Sequence, residues 1–273
     1  KYQPRSTKVL SALRVKWLDG RKNQNEELES CSKKLDHAIL QFYQTKSTQF
    51  RHNEKLLRTT LMPSLQFEIC NSKKMETKHN FTKLTPDQLL PWLLSQKVTR
   101  KVTKVQQHHT YLPDYSHFTG DNHFARQKAM RDYHVNTKKW EDIAQHFTTF
   151  PDGTILTGRS LEKTPVGIYG HNTGAICIEN LGNFDQDEMT PEQHFAIIQL
   201  TAALCLTFNL NPSIQTIIYH SWYDLSTGKF NLKSKNRKTC PGVNFFGGNK
   251  PYACKAHFVP LIHNHMLHLI KNS

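Results

Sequence analysis

The pattern of apolar and polar positions changes near residue 85. Residues 1 to about 80 mix lysine, asparagine, glutamine and serine with short apolar stretches such as VLSALRVKWL and HAILQFY, each long enough for one or two helical turns. Beyond that point apolar residues recur at helix or strand spacing over long stretches. The change predicts a boundary near residue 82, with a small helical region at 1–82 and a folded domain at 83–273.

Four segments of the second part have the spacing of helices. TPDQLLPWLLSQKV opens with a Thr-Pro-Asp start signal, and NHFARQKAMRDYHVN follows it. TPEQHFAIIQLTAALCLTFNL begins with Thr190 and carries Gln193 three positions later, the spacing of a capping box. A last helix is predicted from about residue 252 to 270.

Between these helices lie segments with the pattern of strands. KVQQHH precedes a Pro-Asp turn, and DIAQHFTTFPDGTILTGRS holds two apolar runs joined by Pro-Asp-Gly, which predicts a hairpin. GAICIENLGNF is nearly continuous and apolar except for Glu179, and IQTIIYHSWYD reaches His220. This order predicts the α/β class in a mixed α+β arrangement, with a central mixed β-sheet flanked by helices.

Charge adds one feature to this picture. The chain of 273 residues has a formal net charge of +14, and residues 1–100 hold 19 of its 36 basic side chains against 9 of its 22 acidic ones. A basic segment attracts polyanions such as nucleic acid, anionic lipid or acidic wall polymers, although a solvated surface has the same composition. No apolar run approaches the roughly 18 residues of a membrane span, and no signal peptide is visible.

Three groups of candidate ligands stand out. His108 or His109 and His220 each follow an apolar strand, and Cys240 precedes Pro-Gly in a polar loop. Two imidazoles, a thiolate and an open position form the ligand set of a catalytic zinc ion. Neighbouring residues on a strand face opposite ways, so only one of the paired histidines can reach such a site. With sixteen histidines in the chain, an ordinary core or surface role is the alternative for each.

Several motifs occur together in one order. HHT after a strand, WEDIAQHFTTFPDGTILTGR, GAICIENLGNFD and KTCPG resemble the zinc-dependent N-acetylmuramoyl-L-alanine amidases, a family that includes phage endolysins and animal peptidoglycan recognition proteins. The resemblance covers roughly residues 85–260. It implies a groove at one edge of the sheet that holds Zn²⁺ through His108, His220 and Cys240, and hydrolysis of the bond between N-acetylmuramic acid and L-alanine. His109 is then a residue that packs in the core or supports a metal ligand. The alternative is that His109 is the ligand and His108 has that role.

The same resemblance assigns two further roles. Glu179 matches the glutamate that serves as general base, and a lone carboxylate in an apolar strand is costly unless it is paired or functional. Its structural alternative is an ion pair with Arg159 or a place at a helix terminus. Lys238 matches a lysine that could stabilise an oxyanion, and simple solvation in a basic loop is its alternative.

The chain departs from the family pattern at two places. Many members have a tyrosine beside the substrate carbonyl where this chain has Gln145, which leaves that role vacant or passes it to Glu179. The segment between His220 and Cys240 is longer than in compact members, and we expect it to border the groove.

The resemblance also suggests partners and location. We expect peptidoglycan as substrate, no nucleic acid, and a secreted, wall-associated or phage-delivered protein. The basic region at 1–82 would be a possible cell-wall-binding module that contacts anionic wall polymers. A non-catalytic peptidoglycan receptor is the main alternative, and a nucleic-acid-binding protein is supported by charge alone.

Overall fold

The computed structural model describes residues 75–271. Residues 75–90 and 98–266 belong to one compact unit, which contains every candidate site residue. The boundary predicted at residue 82 falls inside a strand, Phe81–Leu84. Residues 1–74 lie outside the described part, so the assignment of 1–82 as a separate region stays a prediction.

The unit is built on a mixed sheet of seven strands in the order β1-β2-β5-β4-β6-β3-β7. The four strands at the β7 end, β4, β6, β3 and β7, run parallel, while β1, β2 and β5 add antiparallel pairs at the other end. The predicted mixed sheet and the hairpin around Pro-Asp-Gly are thus confirmed. The strands are β1 Thr77–Lys78, β2 Phe81–Leu84, β3 Lys104–His109, β4 Phe147–Thr149, β5 Ile155–Thr157, β6 Ala175–Asn180 and β7 Ile217–Tyr219.

The four helices predicted after residue 82 are confirmed as well. The Thr190 hydroxyl accepts a hydrogen bond of 3.2 Å from the Gln193 amide at the start of the long buried helix, as the capping pattern indicated. Two π-helical turns, Tyr133–Thr137 and Cys254–Phe258, continue helices at their ends. The α-helices are α1 Pro86–Ser95, α2 His123–Asp132, α3 Pro191–Thr207, α4 Pro251–Ala253 and α5 Val259–Lys271. None of the helices in residues 75–271 has the length and apolarity of a membrane span.

The inner strand β3, which lies between β6 and β7, is polar at four successive positions that are all enclosed. Gln106, Gln107, His108 and His109 are each at most 6% exposed. On one face of the sheet, Gln107 donates to the Thr201 hydroxyl of α3 at 2.9 Å and accepts from the Asn180 amide at 3.1 Å. Buried amides without partners would be costly, so these bonds hold β3 in register against β6 and α3.

A buried histidine joins the β4 segment to β6. His146 Nδ1 accepts from the Cys177 amide and His146 Nε2 donates to the Lys163 carbonyl, both at 2.9 Å. Both ring nitrogens are satisfied only when the imidazole is neutral. Burial lowers the pKa of His146 from 6.5 to about 3, and the Lys163 carbonyl opposes this shift.

We predict that His146 makes the fold sensitive to acid. Because its pKa is lower in the folded chain than in the unfolded chain, its contribution is complete above pH 6.5 and is lost as the pH falls toward 3. The free energy of unfolding of the wild type should drop by about 1–3 kcal/mol more than that of His146→Asn between pH 7 and pH 4. Urea denaturation at several pH values measures this, with His79→Asn at an exposed turn as the matched control. Parallel pH profiles for wild type and His146→Asn would contradict the assignment.

Candidate active site

Three side chains that are far apart in sequence converge at the ends of the parallel strands. One donor atom from each of His108, His220 and Cys240 lies within 4.8 Å of the other two, and all three residues are buried. The Cys240 sulfur is 3.5 Å from His108 Nδ1. The His108 and His220 rings meet edge to face with centroids 4.9 Å apart. Such a cluster of two nitrogens and one sulfur can bind a divalent metal ion.

Sheet pairing brings the two histidines together. The parallel register pairs Gln107 on β3 with Tyr219, the last residue of β7. His108 therefore lies beside His220, which begins a short 3-10 turn as the strand ends. The sequence predicted a strand that ended in His220, and the strand stops one residue earlier.

Hydrogen bonds join the two ends of the long segment between His220 and Cys240. The Ser221 amide donates to the Cys240 carbonyl at 2.7 Å, so the residue after His220 is joined directly to Cys240. The Asn249 side chain donates to the Thr239 carbonyl at 2.7 Å, and Arg237 donates to the Ser221 carbonyl at 2.7 Å. These bonds fix the position of Cys240, and that position therefore does not depend on the length of the loop between His220 and Cys240.

The second histidine of the pair faces away from this cluster. His109 Nδ1 accepts from the Phe184 amide at 3.2 Å, and its ring lies 6.0 Å from that of Tyr111. Burial lowers its pKa to about 4, with a smaller opposing effect of Asp185. Its backbone amide, however, donates to the Cys240 sulfur at 3.4 Å. His109 thus touches the cluster through its main chain only.

The electrostatics of the three donors fit a bound cation. Burial is the main cause that lowers the pKa of His220 to about 4 and that of His108 well below 6.5, so both rings are neutral at pH 7, as metal ligands must be. Burial and the nearby Glu179 raise the pKa of the Cys240 thiol well above its ordinary value. A divalent cation would reverse that penalty and favour the thiolate.

Glu179 lies next to this cluster on the same face of the sheet. The register of β3 and β6 pairs it with His108. Within residues 75–271 its carboxylate makes no hydrogen bond or ion pair. Arg159, its alternative partner from sequence, instead donates to main-chain carbonyls of residues 142, 143 and 164. Burial raises the pKa of Glu179 to about 8, and Lys238 partly offsets the rise.

Lys238 and Gln145 differ in their access to the cluster. Lys238 is exposed, and its charge lowers the pKa of His108, His220 and Glu179, so it lies near all three. Gln145 is fully buried and donates to the Thr148 hydroxyl at 2.9 Å. Its side chain is therefore enclosed in the core.

Sequence reasoning missed two residues that shape the site. Gln106, two positions before His108, has its amide oxygen 3.4 Å from His108 Nε2. Gly167 brings the main chain of another loop onto the same ring, since a Cβ there would lie 3.0 Å from His108 Nε2 and would clash with Gln106 Oε1. In the sequence, the two adjacent glutamines within a predicted strand were the signal that could have pointed to Gln106.

Comparison with known proteins shows the family to which the chain belongs. A sequence model described as N-acetylmuramoyl-L-alanine amidase matches residues 98–243, more than half of the 273 residues. The chain belongs to this family. The matched segment of this amidase family contains His108, Glu179, His220, Lys238 and Cys240, so each of the proposed site residues lies inside it.

Individual relatives match more distantly. An N-acetylmuramoyl-L-alanine amidase of Mus musculus is 29% identical over 77 residues, which are 28% of this chain and 14% of the mouse protein. The chain thus matches only a small part of that relative's length. An endolysin amidase of Clostridium intestinale is 23% identical with a TM-score of 0.40 over 53% of this chain and 78% of the endolysin. Drosophila peptidoglycan recognition protein SA is 22% identical with a TM-score of 0.44 over 55% and 78% of the two chains.

We predict that the unpaired Glu179 carboxylate destabilises the metal-free fold at alkaline pH. Its pKa is higher in the folded chain, about 8, than the ordinary value of 4.5, so folding loses free energy as the pH rises through this range. Glu179→Gln should therefore melt at a higher temperature than wild type at pH 8 and at nearly the same temperature at pH 4.5. Calorimetry of chelator-treated protein measures both. Glu188→Gln, at an exposed position, is the control, and an equal gain from that variant would contradict the prediction.

Proposed function

We propose that this chain is a zinc-dependent N-acetylmuramoyl-L-alanine amidase that cleaves the amide bond between the lactyl group of N-acetylmuramic acid and L-alanine in peptidoglycan. One observation carries the proposal: His108, His220 and Cys240 converge next to Glu179, whose carboxylate lies on the same face of the sheet and has no partner among residues 75–271. Membership in the amidase family supports the choice of substrate.

Zinc fits the donor set better than a harder cation would. Magnesium and calcium prefer oxygen ligands, whereas two imidazole nitrogens and a thiolate are typical of zinc. His108, His220 and Cys240 would hold the ion, and three protein ligands leave a position open for catalysis. Zinc in such a site polarises a carbonyl group and lowers the pKa of water to about 7.

Glu179 would move the proton in this reaction. Its carboxylate would accept a proton from the attacking water as the C–O bond forms, and would then give that proton to the nitrogen of the departing L-alanine as the amide C–N bond breaks. Burial holds the pKa of Glu179 at about 8 in the metal-free chain, and a bound divalent cation would lower it, so that the ionised carboxylate could accept the proton. Lys238, exposed beside the same cluster, would stabilise the negative charge that develops on the carbonyl oxygen.

The alternative is a peptidoglycan-binding receptor without activity. A receptor would need neither a buried thiol close to two imidazoles nor an unpaired carboxylate beside them. Because an unpaired carboxylate in such a place is costly to a folded protein unless it is used, Glu179 favours the enzyme.

Product analysis separates the two functions. We expect digestion of purified peptidoglycan to release intact stem peptides with a free L-alanine amino group, detected by mass spectrometry, and to stop when a chelator removes the metal.

Glu179→Gln should retain one zinc per chain and lose about 10²–10⁴-fold in rate, while Cys240→Ser should lose zinc and activity together. Lys238→Met should lower kcat more than Lys238→Arg does. Binding without release of stem peptides by zinc-loaded wild type would support the receptor.

We further propose that the basic region at 1–82 contacts anionic wall polymers, in a protein that is secreted, wall-associated or delivered by a phage. The excess of positive charge in the first hundred residues supports this.

Cosedimentation with isolated cell walls tests the role of this charge. Binding of the full chain should weaken as salt rises from 50 to 500 mM, because screening shortens the range of exposed charges. Replacement of six lysines within residues 1–74 by glutamine should reduce binding several-fold. Replacement of six exposed lysines within residues 97–255 is the matched control, and equal losses from both sets would sink the proposal.

A further inference from the structure

The His108 ring is held from the side opposite to Cys240 by a buried glutamine. Gln106 is fully buried, and its Oε1 lies 3.4 Å from His108 Nε2. On the other side of the ring, His108 Nδ1 lies 3.5 Å from the Cys240 sulfur. The two nitrogens of one imidazole therefore face different groups.

Main-chain contacts fix which end of the Gln106 amide faces the ring. Gln106 Nε2 donates to the His171 carbonyl at 3.0 Å, and Gln106 Oε1 accepts from the Ile168 amide at 3.3 Å. A carbonyl can only accept and an amide N–H can only donate, so the glutamine cannot be reversed. The atom next to His108 Nε2 is thus an acceptor, and that nitrogen must carry the proton.

Gly167 allows this arrangement to form. A side chain at residue 167 would clash with Gln106 Oε1 and crowd His108 Nε2, so only glycine lets the loop reach the amide. The loop is held in turn by the segment between His220 and Cys240, because His171 Nε2 bonds to the Gly228 carbonyl at 2.9 Å. Gln106 is therefore hydrogen-bonded to a loop that is itself held by the segment between His220 and Cys240.

We propose that Gln106 is a positioning residue that holds His108 in the tautomer with the proton on Nε2, so that the lone pair of Nδ1 faces Cys240. The consequence for zinc rests on the proposed function, whereas the tautomer does not. A partner behind a metal-ligating histidine fixes the ring and raises its basicity, and its loss typically weakens metal binding 10–100-fold.

The neighbouring residue provides a matched control. Gln107 lies on the same strand and is equally buried, but it bonds to Thr201 and Asn180 on the opposite face of the sheet. Gln106→Leu and Gln107→Leu each remove one buried amide of the same size, so both should lower the melting temperature. Only the first removes the acceptor behind His108.

Two measurements test the assignment. In metal-free wild type at pH 8, two-bond ¹H–¹⁵N correlation spectra should show the His108 proton on Nε2. Gln107→Leu and Gln106→Glu, which keeps an acceptor, should preserve this tautomer, and Gln106→Leu should lose it. In competition with a chromogenic chelator, the zinc dissociation constant should rise 10–100-fold for Gln106→Leu and less than threefold for Gln107→Leu.

The outcomes distinguish the two proposals. A proton on Nδ1 in wild type, or equal changes in zinc affinity for both leucine variants, would overturn the role of Gln106. If Gln106→Leu does not fold, loss of the Nε2 proton in Gln106→Glu would overturn it as well. Wild type with the Nε2 proton but without zinc affinity would refute the proposed metal site and leave the positioning role intact.

Discussion

The parallel pairing of β3 with β6 on one side and β7 on the other is the constraint on which the site depends. It aligns His108 with Glu179 across one pair of strands and brings it next to His220 across the other. Backbone hydrogen bonds of the sheet thus set the distances between groups that come from three separate parts of the chain. A sheet positions side chains more rigidly than a loop does, which suits chemistry that tolerates errors of only about half an ångström.

Cys240 is the one candidate ligand that the sheet does not position, and it is held in another way. Its carbonyl accepts from the Ser221 amide and its sulfur accepts from the His109 amide, so main-chain donors on two strand ends hold it. Burial opposes ionisation of its thiol, and burial likewise keeps the two histidines neutral. All three donors are therefore uncharged at pH 7 in the folded chain.

Much of this architecture could be predicted from the sequence because it is local. The capping pattern at Thr190, the Pro-Asp-Gly turn and the apolar strand around Glu179 each reflect nearby residues, and the structure has them where the sequence indicated. The convergence of His108, His220 and Cys240 could be inferred only through resemblance to a family, since no local pattern encodes contacts across 132 residues. The two adjacent glutamines were a signal in the sequence, but the contacts of Gln106, Gly167 and Arg159 could not be predicted, because they depend on which loop passes over which strand.

The sequence Gln-Gln-His-His in β3 has a consequence for folding. If the strand shifted so that each residue took the place of the one before it, a glutamine and a histidine would still occupy the positions of Gln106 and His108, and on that face the misaligned chain would imitate the correct one. The imitation fails at position 107, where a histidine would replace the amide that bonds to both Thr201 and Asn180. The polar contacts on the face remote from the candidate metal ligands therefore favour the observed alignment over this near-degenerate one.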